Sequence, residues 1–373
     1  MLAQAVLISL STQKVKKLLV LEGMSCRYFY RFDMNLADRK TQQPPLASLE
    51  KLLTLCAPSM ARINDIITAR MASDVPLIPK LASHLIAAGG KRMRPMLCVV
   101  GALAASKGQS APASVLQLAA AVEFIHSATL LHDDVIDKSD RRRGRDTANA
   151  LWGNEASVLV GDFLFARAFE LMVETNDLAV LGLLSSASAR ITEGEVKQMT
   201  MAGAPDSSLD DYLSMITNKT ATLFSAAAES GARVGGADEA LSTAMHHYGL
   251  HLGMAFQICD DALDYGADPT HLGKNGGDDF HEGKITLPVI LAWQGADDVQ
   301  RAFWKRTLGD NIIQDGDLDK ARELLGRHNA IENALSYARA ETVSAIQALS
   351  VIPDGPVKAA LHEAALFAGK RAY

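Results

Sequence analysis

From Ala47 onward, apolar residues recur at three- and four-residue intervals over almost the whole chain, while strict apolar–polar alternation is scarce and β-branched runs are short. The first pattern is that of helices burying one face, and Ala and Leu, which dominate long windows, add helix propensity. The pattern predicts an all-α fold. ASLEKLLTLCAPSMARINDIITARM reads as one helix or a kinked pair, with Pro58 as the candidate break. PLIPKLASHLIAAGG reads as a second helix stopped by Gly89 and Gly90, and Pro95 suits the first turn of a third, RPMLCVVGALAAS. A stretch over about 112–139 is almost wholly apolar until its end, which predicts a central helix buried on most sides. Helical periods continue through ASVLVGDFLFARAFELMVET, LAVLGLLSSASARITEGEVKQMTMAG and a segment around 208–230, and amphipathic helices fill Ile285–Tyr373.

Residues 1–33 differ from the rest. They carry Lys14, Lys16, Lys17, Arg27 and Arg31 with few acids, and their apolar patches are too short to span a bilayer. We therefore expect residues 1–45 to be an extension and lead-in, ended by Pro44 and Pro45, and residues 46–373 to form the main domain. At 373 residues the chain is long enough for one large core. Its net charge of -6 argues against general nucleic-acid binding, so the local arginines read as ligands for small-molecule phosphates. Cys26, Cys56, Cys98 and Cys259 are widely spaced, which fits a reduced, cytoplasmic protein without a disulfide framework or a zinc site. No spanning or anchoring segment is visible, so stable membrane insertion is not expected.

The central apolar stretch ends in EFIHSATLLHDDVIDKSDRRRGRDTAN. On a helix, Asp133 and Asp137 lie one turn apart on one face with Asp134 beside them. Carboxylates that close repel, and oxygen-only ligands favour a hard cation, Mg2+ above all, shared with substrate phosphates. Arg141, Arg142, Arg143 and Gly144 follow directly and supply phosphate-binding forks. Taken alone, this is equally a solvated acidic helix end. Asp260, Asp261 and Asp264 repeat the spacing on a second apolar stretch, and two facing helices so equipped would hold several Mg2+ ions around one diphosphate.

Other residues fall into place around this pair of clusters. GGKRMRP places Lys91 and Arg94 three residues apart after a glycine turn, either as an anion site or as basic residues meeting a helix dipole. His126 is two turns before Asp133 on the same face, a core histidine or a donor to phosphate. Thr129 and Ala128 lie just below Asp133 and are small, which leaves volume beneath the metal site. Glu195 and Gln198 either face the cavity or are exposed, and Lys219, next to Asn218 and Thr220, is either buried against an anion or at a helix edge. His246, His247 and His251 include an i, i+4 pair but lack the glutamate of a zinc protease motif. Gln257 precedes the second cluster by a turn. Lys274, Asp278, Asp279 and Lys284 follow it in a glycine-rich loop that reads as a mobile flap carrying a cation.

In order, GGKRMRP, EFIHSATLLHDDVIDKSDRRRG, GDFLFARAF, EGEVKQ, NKTATLF, FQICDDALDY and GKNGGDDFHEGKITLP resemble the motifs of the trans-type isoprenyl diphosphate synthases, over about residue 47 to the end. Within that family the chain is similar to the long-chain octaprenyl, nonaprenyl and decaprenyl diphosphate synthases that make quinone side chains. The resemblance implies a bundle of long helices around a deep apolar cavity, paired as a homodimer or higher oligomer. It implies that Asp133, Asp134, Asp137, Asp260, Asp261 and Asp264 hold Mg2+ on an allylic diphosphate such as farnesyl diphosphate, assisted by Arg142, Lys219 and Lys274. Isopentenyl diphosphate would be anchored by Lys91, Arg94, His126 and Arg143, with Thr220, Gln257, Glu195 and Gln198 as secondary contacts. In this family the residues four and five before the first aspartate limit product length. Here they are Thr129 and Ala128, and no aromatic closes the tunnel.

The rival readings are a shorter-chain synthase, a non-catalytic partner subunit, a terpene cyclase and a metal phosphohydrolase built on His132–Asp133. Both aspartate motifs are complete, which disfavours the partner subunit. GGKRMRP with His126 disfavours the cyclase, and the second cluster lacks the histidines a phosphohydrolase needs.

Overall fold

Helices α1 (Glu50–Arg70), α2 (Leu77–Ala87) and α3 (Met93–Ala105) lead into the central helix α4 (Ala113–Ile136). The computed structural model describes residues 49–87, 90–142, 144–266 and 276–370. The expected extension over residues 1–45 thus lies outside the described residues, as do Arg143 and Lys274. Ala47–Tyr373 forms one compact unit.

Pro58 does not break α1, which runs unbroken through it. The helix forgoes one backbone hydrogen bond there, and burial of Leu52, Cys56, Ile63 and Ile67 along one face holds it together. On α4, fourteen residues are buried, among them Leu118, Phe124, Ile125, Ala128 and Leu131. It is long and apolar enough to cross a membrane by composition, but most of that stretch is covered by other helices, which identifies it as a core helix.

Beyond α4 a two-residue ladder pairs Arg141 with Asp146 and Arg142 with Arg145. Its turn uses Gly144 at φ +75°, a conformation side-chain-bearing residues avoid. The segment continues through α5 (Ala148–Trp152), α6 (Asn154–Glu174) and α7 (Leu178–Met201). The stretch expected as one helix around 208–230 is α8 (Leu209–Ile216), a π-turn (Thr217–Ala221) and α9 (Thr222–Val234). Sequence periodicity does not register a single wide turn, because helical spacing resumes at once after it.

Helix α10 (Glu239–Gly266) is the second axis of the fold and packs on α9. After it come α11 (Asp278–His281), α12 (Leu287–Gln294), α13 (Asp298–Trp304), α14 (Asp317–Arg327), α15 (Ala330–Ala348) and α16 (Pro356–Lys370). Two apolar clusters fill the unit. One gathers α1, α3, α4, α6, α7, α9 and α16, and the other gathers α8, the C-terminal half of α10 and α12 to α15. They meet along α10, where Ala255 belongs to the first and Met254 and Ile258 to the second. The approach of α3 to α9 requires Gly231, since a Cβ there would sit 1.9 Å from the Cys98 carbonyl oxygen.

Candidate active site

Both aspartate clusters stand at C-terminal ends of long helices. Asp133 and Asp134 close α4, and Asp137 is its C-cap. Asp260, Asp261 and Asp264 lie in the last turns of α10. The two clusters face each other through Lys284, whose Nζ donates to Asp137 Oδ2 at 2.8 Å and to Glu282 at 2.5 Å. The same ammonium acts electrostatically on Asp134, Asp261 and Asp279.

Burial pushes Asp133 well above the usual carboxylate range, with Glu195 and Asp137 adding to the rise and Lys219 and Arg142 opposing it. Asp261 is raised by burial as well, against hydrogen bonds from Tyr212 and Gln257. Asp134, Asp264 and Asp279 are shifted in the same direction, each chiefly by burial. The site thus holds several neighbouring carboxylates out of water, where their charged forms are disfavoured, a condition a divalent ion would relieve. Among the described residues no group of three or more candidate ligands is gathered tightly enough to hold an ion unaided. All-oxygen donors completed by water and substrate phosphates fit Mg2+ under those conditions.

The members of each cluster have different surroundings. Arg142 donates to Asp134 Oδ1 at 2.8 Å, which holds the guanidinium expected for diphosphate at the rim of the first cluster. Arg141, for which the sequence suggests no role, pairs loosely with exposed Asp146. Asp264 accepts from the backbone amides of Asp278 at 3.2 Å and Asp279 at 3.0 Å, so it caps α11. Negative charge at those unsatisfied amides is favourable and ties the glycine-rich segment to α10. The expected flap is described only in part, and its described end is this short helix.

Lys219 sits on the π-turn and donates to Glu195 Oε2 at 2.6 Å and Gln198 Oε1 at 2.5 Å. Both α7 residues therefore face inward, and the lysine has the anionic partner its partial burial demands. Gly194 makes that contact possible, because a Cβ there would lie 2.4 Å from the Lys219 backbone nitrogen. Thr220 donates to Gln257 Oε1 at 2.8 Å, and Gln257 Nε2 donates to Asp261 Oδ1 at 2.7 Å.

At the other end of the site, Arg94 Nη1 donates to His126 Nε2 at 3.1 Å. Arginine has no acceptor, so His126 must be neutral with its proton on Nδ1. Arg94 lies over the Phe224 ring, its centre 4.4 Å from the centroid, and its Nε is buried without a hydrogen-bond partner. Burial lowers its pKa to about 10, which leaves it charged at neutral pH. A half-buried guanidinium with an unpaired Nε–H is built to receive an anion. Glu123 pairs instead with Arg92, at 2.8 Å, and Arg92 takes the left-handed conformation that turns the chain into α3. Lys91 is exposed, its Nζ over the Phe367 ring of α16 at 4.3 Å.

Below Asp133, Ala128 is fully buried, and Thr129 donates its hydroxyl to the His126 carbonyl oxygen at 2.8 Å. The histidines are accounted for without zinc. His246 meets Glu229 at 2.8 Å and Ser225 at 2.9 Å, and His251 meets Glu341 at 2.7 Å. Sequence reasoning missed Tyr212 and Asn149. Tyr212 donates to Asp261, and Asn149 donates to the carbonyl oxygens of Asp134 and Ser139 at 3.2 Å each. Nothing in their local sequence distinguishes either from an ordinary helical residue.

Residues 75–325 match the family model described as polyprenyl synthetase. The octaprenyl diphosphate synthase of Haemophilus influenzae is 40% identical over 328 residues, which span 88% of this chain and 98% of that one. A solved polyprenyl synthase from Caulobacter crescentus, complexed with calcium and isoprenyl diphosphate, superposes with a TM-score of 0.84 at 48% identity, covering 88% of this chain and all of the other. A decaprenyl diphosphate synthase from Rhodobacter capsulatus does so with a TM-score of 0.83 at 47% identity, covering 87% of this chain and 100% of its own. By the family match over residues 75–325 and these relatives over most of its length, this chain belongs to the polyprenyl synthetase family and is a prenyltransferase.

Proposed function

We propose that the protein is a long-chain trans-polyprenyl diphosphate synthase, which condenses isopentenyl diphosphate repeatedly onto an allylic diphosphate and supplies quinone side chains. The observation that carries this reading is the Lys284–Asp137 contact, because the same ammonium also acts on Asp261 of the second cluster, with Arg94, whose Nε lacks a hydrogen-bond partner, in the same unit. The octaprenyl and decaprenyl relatives support the long product.

Asp133, Asp134, Asp137, Asp260, Asp261 and Asp264 would hold the divalent ions, and Mg2+ suits their oxygen donors. Bound there, the metal neutralises charge on the allylic diphosphate and on the diphosphate as it leaves. Lys219 and Arg142, with Lys274, place further positive charge on the same leaving group, so the carbon–oxygen bond ionises to an allylic cation. Arg94 and His126, with Lys91 and Arg143, hold isopentenyl diphosphate so that its double bond faces that cation. A carbon–carbon bond forms, and a proton passes from the new chain to the released diphosphate. The apolar walls of α4 and α9 exclude water that would quench the cation. Ala128 and Thr129 let the tail descend, and farnesyl diphosphate is the primer we favour.

Helices α6 and α7 expose Leu159, Phe169, Val173, Leu178, Val196 and Met199 on neighbouring surfaces, which suits a second copy of this chain and a homodimer. Among the described residues Cys56, Cys98 and Cys259 are buried and form no disulfide, which suits a cytoplasmic enzyme. The decisive assay supplies farnesyl diphosphate, labelled isopentenyl diphosphate and Mg2+, then sizes the dephosphorylated lipid by reverse-phase chromatography. Products of eight or more isoprene units are expected. A cyclic product, free farnesol or no lipid at all would overturn the reading.

A further inference from the structure

Tyr212 lies seven residues before Lys219, on α8, outside both aspartate motifs. Its side chain is fully buried, and its hydroxyl donates to Asp261 Oδ2 at 2.6 Å. The other oxygen of that carboxylate is taken by Gln257 Nε2 at 2.7 Å, and Gln257 in turn accepts from Thr220 at 2.8 Å. These bonds form a closed circuit. It leaves α8 at Tyr212, crosses to α10 at Asp261, runs back one turn to Gln257 and returns at Thr220, one residue after Lys219. A further stitch joins the same two segments where Thr217 Oγ1 approaches Met254 Sδ at 3.2 Å.

We infer that Tyr212 is a positioning residue for the diphosphate end of the site: by holding Asp261, it sets the last turns of α10 against the π-turn that carries Lys219. The chemistry of the pocket requires such a donor. Asp261 is only 5% exposed, so water cannot replace a missing hydrogen bond at low cost. A carboxylate with both oxygens engaged by protein donors is a fixed member of its cluster, beside Asp260 on the exposed side of α10. The Gln257 amide is unambiguous in this circuit, since its NH2 must face the acceptor-only carboxylate and its oxygen the threonine hydroxyl. The π-turn gives the circuit its purpose. A wide turn places Lys219 and Thr220 on the inner side together, and the bonds to α10 add to the local Thr222–Thr217 bond that holds it wide.

The inference rests on the reading of the second aspartate cluster as the diphosphate and metal end, so its test includes a variant that probes that reading alone. Tyr212→Phe keeps the ring and removes one donor. We expect kcat/KM for the allylic diphosphate to fall about 10- to 100-fold, the Mg2+ concentration for half-maximal rate to rise, and KM for isopentenyl diphosphate to stay within about twofold. In the metal-free protein, amide hydrogen exchange over residues 257–264 should quicken, while exchange in α4 is unchanged. Tyr212→Phe combined with Asp261→Asn should be no slower than Asp261→Asn alone, because Tyr212 acts through that carboxylate. Wild-type kinetics and exchange in Tyr212→Phe would overturn the inference. So would an equal loss in both substrates' parameters together with quicker exchange throughout, which marks a residue that only supports the fold. Asp260→Asn separates the two levels. If it keeps full turnover, the reading of the second cluster fails, whereas a dead Asp260→Asn beside a normal Tyr212→Phe refutes Tyr212 alone.

Discussion

Lys284 Nζ lies 2.8 Å from Asp137 Oδ2, joining residues 147 positions apart across the mouth of the site. Both side chains are mostly buried, and Glu282 shares the ammonium. Lys284→Ala would leave Asp137 without its cation and weaken the pairing of the two clusters. We expect kcat/KM for the allylic diphosphate to drop about 10- to 100-fold, the scale of a charge-assisted hydrogen bond of about 1.5–3 kcal/mol. Lys284→Arg should recover part of the loss, because it keeps the charge and changes only its shape. Steady-state kinetics with each substrate varied in turn, beside thermal melting, checks both statements.

Arg94 and His126 touch, so their effects should not add. Arg94→Gln removes a half-buried charge that rests on His126 and the Phe224 ring, and it should raise KM for isopentenyl diphosphate by about 10-fold or more. His126→Ala should raise it less, since a neutral ring that accepts from Arg94 contributes one hydrogen bond and an orientation. In the double variant the combined loss should be smaller than the sum of the two, by about 0.5–3 kcal/mol of coupling. KM for the allylic substrate should stay near its wild-type value in all three. Additive losses would show that the two side chains act on separate parts of the substrate.

How much of this was legible in the sequence depended on whether a residue's role is local. The aspartate spacing placed Asp133, Asp137, Asp260 and Asp264 on helix ends, and three-residue periodicity found α1, α4, α6, α7 and α10. The π-turn at Thr217–Ala221 was not visible, because the contacts that hold it, Gly194 against Lys219 and Thr220 to Gln257, join residues far apart in sequence. Asp264 reads identically to Asp260 in sequence, yet it caps α11 through bonds to amides fourteen and fifteen residues on. Tyr212 was missed for the same reason, since its partner is 49 residues away. Pro58 was overweighted, because a proline costs a helix one bond and a buried face can outweigh it.

If two copies pair through the exposed apolar residues of α6 and α7, charge placed there separates them. Phe169→Asp, at 42% exposure, and Leu159→Glu, at 66%, should each fold, since neither side chain belongs to the buried core. In sedimentation or light scattering, each should shift the protein from dimer toward monomer at micromolar concentration. An unchanged mass for the combined variant would place the interface elsewhere.

Ala128 is fully buried on α4, five residues before Asp133. Ala128→Phe adds a ring along the expected path of the growing tail, so the main product should shorten to farnesyl or geranylgeranyl length. Overpacking there costs about 1–3 kcal/mol, so a lowered melting temperature should accompany the change. Reverse-phase sizing of the dephosphorylated lipid gives the answer. An unchanged product from a folded variant means that the tail takes another route.

Gly194 offers the sharpest separation of geometry from chemistry, because it bears no reactive group. A methyl at this position would meet the Lys219 backbone at 2.4 Å for the nitrogen and 2.8 Å for Cα, and neither is the far end of a flexible side chain. Either α7 or the π-turn must move, and the turn is the weaker element. In Gly194→Ala, Lys219 should lose its contacts to Glu195 and Gln198, and turnover should fall by at least about tenfold, since one misplaced ångström is enough to spoil alignment. Gly326→Ala on α14 is the matched control, with nothing within 4 Å of the added carbon. It should keep full activity and gain up to about 1 kcal/mol of stability from helix propensity. If Gly194→Ala were as active as the control, close approach of α7 to the π-turn would not be what places Lys219.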